Sequence, residues 1–127
     1  MEQTRSRVRI IEQAVGKVSR PNIIVGVPEV GLVGTISASY LIQQLNLPEI
    51  AIVDSDLMPQ VIVVHESTPK HPVRVYGKGD LAIVIAETPL TPRLSSEFTA
   101  ELTRWAKEKE AKMIIGVTGI PSRNREM

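Results

Sequence analysis

Gly26-Val27-Pro28-Glu29-Val30-Gly31-Leu32-Val33-Gly34 is a glycine-punctuated turn between the apolar run Asn22 to Val27 and a long segment, Val30 to Leu47, without a charged residue. The reading is a strand, a tight loop and a helix opening at Gly31. That order places backbone N–H groups beside a crevice where an anion or another chain can be received. Pro28 stands where a dinucleotide fingerprint needs its second glycine, and no Lys-Ser or Lys-Thr pair completes a phosphate loop, so no nucleotide cofactor is expected. Glu29 adds a negative charge to the loop an anion would approach.

On either side of this turn the chain alternates strand and helix patterns. Val8 and Ile10, within Arg7 to Gln13, have strand spacing, and Asn22 to Val27 is apolar enough for a central strand. After the turn, Val33, Ile36, Tyr40, Leu41 and Leu45 share one broad helix face, with Gly34, Ser37 and Ala38 small enough for close approach. Gly34, Ser37, Ser39, Gln43, Gln44 and Asn46 make the segment too polar for a membrane span, so a helix covered by protein on more than one side is expected. Asn46 and Pro48 stop it. Glu49 to Asp54 and Val61 to Val64 follow as strands.

Val73 to Tyr76 and Leu81 to Ala86 flank Gly77-Lys78-Gly79-Asp80, which predicts an antiparallel hairpin. Thr91-Pro92 then reads as a helix cap and first turn, with Leu94, Phe98, Leu102 and Trp105 on the buried face. Arg93, Glu97, Glu101, Arg104 and Glu108 form its solvated face. Lys112 to Val117 is expected as a buried strand. The series predicts an α/β fold with a mostly parallel central sheet flanked by helices.

The 127 residues, 43% hydrophobic and 23% charged with a net charge of +1, are read as a single domain. Within it, 1–20 would be an N-terminal strand and arm and 122–127 a loose tail. Balanced charge and few aromatics (Tyr40, Tyr76, Phe98, Trp105) argue against nucleic-acid binding. Zero cysteines exclude disulfides, thiolate metal sites and a Cys nucleophile. The polar start, Met1 to Arg7, has no signal-peptide core, and a cytoplasmic protein is expected.

Polar residues collect at the carboxyl ends of the predicted strands, where open α/β sheets bind ligands: Glu29, Asp54, Asp56, Glu87, Thr88 and Thr118. Turns and surfaces also favour these residue types, so their convergence is the deciding matter. The candidate loop and rim is therefore Gly26, Pro28, Glu29, Gly31, Gly34, Asp54, Asp56 and Glu87. His65 and His71 lack a third ligand, so no metal is expected, and no nucleophile elbow or triad marks a catalytic residue. Contact is better provided for than bond making, and Val33, Tyr40 and Leu41 are the candidate interface.

The blocks GVPEVGLVG, SYLIQQL, EIAIVDSDLMPQVIVVHE, PVRVYG, DLAIVIAETPL and GVTGIPSRNRE, in that order from about Pro21 to Glu126, resemble the proteasome assembly chaperone superfamily in its archaeal standalone branch. The resemblance implies a fold related to the purine nucleoside phosphorylase and hydrolase type, self-association into a homo-oligomer, and contact with proteasome α subunits rather than catalysis. Two departures stand out. The family loop usually carries glycine where this chain has Glu29, and members typically continue past the GIPSRNRE block, some archaeal ones into a hydrophobic-Tyr-any tail that inserts between α subunits. A shortened chain would leave its last strand with an open edge and its uncharged helix uncovered, both of which favour pairing with another copy. The competing expectation is a phosphorylase- or hydrolase-type enzyme, with the Gly31 and Gly34 backbone holding an anion and Asp54 or Glu87 acting as acid or base.

Overall fold

Alternate residues along the strands form two apolar sets, one on each face of a single sheet, and one helix meets each set. The computed structural model describes residues 7–13 and 17–120. The expected arm before Arg7 and tail after Pro121 lie outside them. The elements are β1 (Val8–Glu12), β2 (Val18–Gly26), a 3-10 turn (Val30–Leu32), α1 (Val33–Gln44), β3 (Glu49–Ser55), β4 (Val63–His65), β5 (Thr68–Lys70), β6 (Val73–Ala86), α2 (Pro92–Glu108) and β7 (Met113–Val117).

The main sheet has the order β1-β3-β6-β2-β7. β6 is not one straight run. The Glu87 N–H donates to the Pro72 carbonyl at 2.8 Å, which an extended chain of that length cannot allow. A side chain on Gly77 would meet the Leu81 carbonyl at 2.8 Å, and Gly79 turns at a φ of 64°. The predicted hairpin is thus present, with its glycine turn inside β6. Its first arm pairs antiparallel with β3 (Ala51 with Val75), and its second pairs parallel with β2 (Ile24 with Ile83). β1 pairs antiparallel with β3, and β7 pairs parallel with β2. The sheet is therefore mixed, because the hairpin and β1 contribute reversed strands beside the parallel ones. A separate small hairpin joins β4 and β5, where the sequence suggests only one strand.

α2 carries the larger core. Leu94, Phe98, Leu102 and Trp105 are buried against Val8, Ile10, Ile23, Val73, Val75, Ala82 and Val84. Thr91 caps the helix by accepting from the Leu94 N–H at 3.2 Å, and Pro92 occupies the first turn. On the opposite face, Ala38 of α1 packs with Leu47, Ile83 and Ile85.

Other expectations change as well. The α-helix opens at Val33 rather than Gly31, because Gly31 (φ 67°) and Leu32 (φ 57°) have left-handed backbone conformations. Lys112 to Val117 yields an edge strand rather than a buried one: Met113, Ile114 and Ile115 are exposed, since β7 has a neighbour on one side only among the described residues. Glu101 leaves the solvated face of α2 and is buried, because its carboxylate accepts the Ile10 N–H of β1 at 2.9 Å.

Candidate partner-binding surface

The glycines of the central turn serve close packing. A Cβ on Gly26 would lie 2.2 Å from the Gly34 carbonyl, and a Cβ on Gly34 would lie 2.4 Å from the Val117 carbonyl and 3.0 Å from that of Val27. The end of β2, the first turn of α1 and the end of β7 therefore touch backbone to backbone. Pro28 is half-buried, and Glu29 is exposed with its carboxylate accepting the Thr118 hydroxyl. The space beside Gly34 is filled by protein, where an anion cradle needs room.

The candidate rim is geometrically real but chemically divided. β2, β3, the second arm of β6 and β7 run in one direction, so Glu29, Asp54, Asp56, Glu87 and Thr118 share one end of the sheet. Each carboxylate has its own partner. Asp54 faces Arg9 at 3.5 Å, and Asp56 takes two hydrogen bonds from Arg7, at 2.6 and 3.1 Å, which hold its carboxyl below the ordinary range. Thr88 is buried. No group of three His, Asp or Glu side chains able to hold a metal occurs among the described residues.

Glu87 belongs instead to a cluster under the β4–β5 hairpin that the sequence reading missed. Arg74, 3% exposed, sends Nη2 to Glu87 at 2.7 Å, Nε to the Tyr76 hydroxyl at 3.0 Å and Nη1 to the His71 carbonyl at 2.7 Å. His65 Nε2 reaches both Glu87 oxygens at 3.1 Å, and Lys70 approaches Glu49 at 3.4 Å. His65, Lys70, Arg74, Tyr76 and Glu87 border a cavity of about 200 Å³ that also touches Ser39 and Gln43 of α1. The sequence signal was Arg74 itself, a charged residue between Val73 and Val75 in a strand. Its satisfied guanidinium ties the small hairpin to the sheet.

Burial pushes the Glu87 carboxyl up, but hydrogen bonds from His65 and Arg74 outweigh it and leave the pKa below the ordinary value. Glu101 is also lowered, first by its hydrogen bond from Arg104 (Nε 2.8 Å), against burial, and further by the Ile10 N–H. For carboxyls depressed on folding, the stabilisation is complete above the unfolded value near 4.5 and is lost as pH falls through the lower folded values. Urea unfolding across an acid pH series is expected to show that loss, and Glu101→Gln should flatten part of it. A stability independent of pH below 4.5 would contradict these assignments.

The distinctive surface is apolar. Ile36 (60% exposed), Tyr40 (61%) and Val33 lie open on α1 and Leu45 just past its end, so this helix is covered on one side rather than several. Of the candidate interface, Val33 and Tyr40 are exposed, while Leu41 is half-buried against the smaller core. Ile115 extends the apolar surface along β7, which contacts α1, while Ile114, in register with Ile23, is exposed on the α2 face. Ile36 was already on the apolar helix face in the sequence; the β7 residues were not singled out because their apolar run reads the same for a central strand. No helix among the described residues is long and apolar enough to cross a membrane.

Comparison with known proteins places this geometry. The chain is similar to the crystal structure of Pyrococcus furiosus PbaA, an archaeal homolog of proteasome-assembly chaperone, at 32% identity and a TM-score of 0.80, covering 94% of this chain and 52% of that one. Pyrococcus furiosus PbaB, an archaeal proteasome activator, shares the fold at 23% identity and a TM-score of 0.71, over 93% and 55% of the two chains. Among curated proteins, the uncharacterized protein MJ0106 of Methanocaldococcus jannaschii is 24% identical over 89% of this chain and 48% of its own length. The chain thus spans about half the length of these relatives. The PAC2 family model matches residues 23–127, and the chain belongs to that family, within the proteasome assembly chaperone superfamily.

Proposed function

We propose that the chain is a non-enzymatic, assembly-chaperone-like domain that self-associates and contacts proteasome α subunits in the cytoplasm. The observation that carries this reading is the exposed apolar surface of α1 and β7, with Ile36 and Tyr40 more than half exposed. Surfaces of this kind mark docking sites, and buried apolar anchors with a polar rim supply most of the binding energy. The kinship with PbaA, a homolog of proteasome-assembly chaperone, supplies the class of partner. The separately paired rim carboxylates and the filled space at Gly34 favour contact over catalysis. The resemblance of the sequence blocks to the purine nucleoside phosphorylase and hydrolase type would then concern architecture alone.

Mixing the chain with purified archaeal proteasome α subunits and measuring the eluted mass tests the partner. Co-migration is expected for the wild type, with at least a tenfold weaker complex for Tyr40→Asp, as for loss of an interface anchor. Separate elution of the wild type from the α subunits would overturn the assignment of that partner.

A further inference from the structure

The β4–β5 hairpin is held to the molecule by other means than the strands of the main sheet. Its two strands pair with each other, Val63 with Lys70 and His65 with Thr68, and among the described residues with no strand of the main sheet. None of its residues enters either apolar core. Val64 is exposed on it, and Pro69 has no N–H to offer a further strand. A two-stranded hairpin has little stability alone, so its position depends on side-chain contacts. These are polar: His65 Nε2 lies 3.1 Å from both Glu87 oxygens, and Lys70 Nζ lies 3.4 Å from Glu49.

The hairpin is shaped to move as one piece. Glu66 (φ 51°) and Ser67 (φ 66°) both have left-handed backbone at its tip, the combination in a two-residue turn that matches the twist of the flanking strands. Its trailing leg is fixed where it joins β6: the His71 carbonyl accepts Arg74 Nη1 at 2.7 Å, and the Pro72 carbonyl accepts the Glu87 N–H at 2.8 Å. Its leading leg, Gln60 to Ile62, has no regular structure, and a gap of about 270 Å³ bordered by Val61, Ile62, Pro69 and Pro72 leaves room at the stem. A unit with one fixed leg, one irregular leg and no share in the apolar cores belongs among the least costly local openings of a fold.

We propose that the β4–β5 hairpin is a lid, latched by the His65–Glu87 contact, that lifts from the polar cavity beneath it while the main sheet stays folded. The cavity of about 200 Å³ has His65, Glu66 and Lys70 of the hairpin on one wall and Arg74, Tyr76 and Glu87 of the sheet on another. Lifting breaks two contacts, His65 to Glu87 and Lys70 to Glu49, and both hairpin side chains already face solvent in part, so water takes the place of the lost partners. The sheet side of the cavity keeps its own bonds. Arg74, 3% exposed, retains Glu87, the Tyr76 hydroxyl and the His71 carbonyl, so no buried charge loses its partner when the lid leaves. A solute entering the opened cavity meets a guanidinium and a carboxylate held side by side. This device goes beyond the partner-binding reading and is independent of it.

The chain has no cysteine, so a single introduced thiol reports the opening. Ile85 borders the cavity, is 2% exposed and packs on the α1 side of the sheet, whereas Ala82, fully buried, lies in the larger core on the other side. Ala82→Cys is expected to react with a thiol reagent only through global unfolding, at a rate that climbs with urea. Ile85→Cys is expected to react at least about tenfold faster relative to its own global unfolding, with little response to low urea. Adding His65→Ala is expected to speed Ile85→Cys labelling at least about tenfold, as for loss of one hydrogen bond to a charged group, and to leave the Ala82→Cys rate and the circular dichroism unchanged. Equal rates and equal urea dependence for the two thiols overturn the lid, because access would then require unfolding of the sheet. His65→Ala without effect on Ile85→Cys, or with the same effect on both thiols, overturns the latch. Each result is read without reference to α-subunit binding, so the lid and the proposed partner stand or fall separately.

Discussion

Replacing Gly34 by alanine is expected to destabilise the protein by about 2 to 3 kcal/mol, although the same change inside an ordinary helix stabilises by about 1 kcal/mol. The two effects have opposite signs, so the experiment separates them. Gly34 lies in the first turn of α1, where propensity favours alanine. A Cβ there would stand 2.4 Å from the Val117 carbonyl and 3.0 to 3.1 Å from the backbone of Val27. All three obstructing atoms belong to backbone in β7 or at the end of β2, so relief requires moving a helix away from two strands. Urea denaturation measures the difference, and a variant as stable as the wild type would show that the helix does not press on the strand ends.

Trp105→Ala is expected to cost about 3 to 5 kcal/mol, a large share of the roughly 5 to 15 kcal/mol that holds a typical domain together. Trp105 is 1% exposed and is the largest of the fully buried side chains. Its indole Nε1 donates to Glu12 at 3.0 Å, and Lys109 reaches the same carboxylate at 2.9 Å while lying 5.9 Å from the ring centre. The side chain therefore fills the core beneath α2 and also ties that helix to β1. Trp105→Phe keeps most of the apolar volume and loses the hydrogen bond, so a smaller cost of about 1 to 2 kcal/mol is expected. Equal stabilities for the two variants in urea would contradict this division between packing and hydrogen bonding.

Where one physical pattern had one meaning, the sequence sufficed. The spacing of Leu94, Phe98, Leu102 and Trp105, with Thr91-Pro92 before it, located α2 and its buried face. The glycines around Lys78 located the hairpin, and Asn46 with Pro48 located the end of α1. Patterns compatible with two environments were not decisive. Met113 to Val117 has the same apolar run whether a strand lies on both of its sides or on one. Glu101 has the spacing of a surface residue, and only the arrival of the Ile10 N–H from a distant strand accounts for its burial. The Arg74, Glu87 and His65 cluster is assembled by the fold from the sheet and the small hairpin, so no local spacing announces it.

The rim shows the same distinction at the level of function. Strand order placed Glu29, Asp54, Asp56 and Glu87 at one end of the sheet, but pairing with Thr118, Arg9, Arg7 and Arg74 gives each a separate structural bond. Exposed apolar residues lie on α1, on β7 and, at Ile62 and Val64, around the small hairpin.

The light-scattering mass of the wild-type chain, measured beside Ile36→Asp at the same micromolar concentrations, tests most directly whether the α1 surface is built for association. A mass of two chains or more for the wild type, shifting toward the 14.0 kDa of one chain in the variant, is the predicted result. A wild-type mass of 14.0 kDa throughout the range would contradict it.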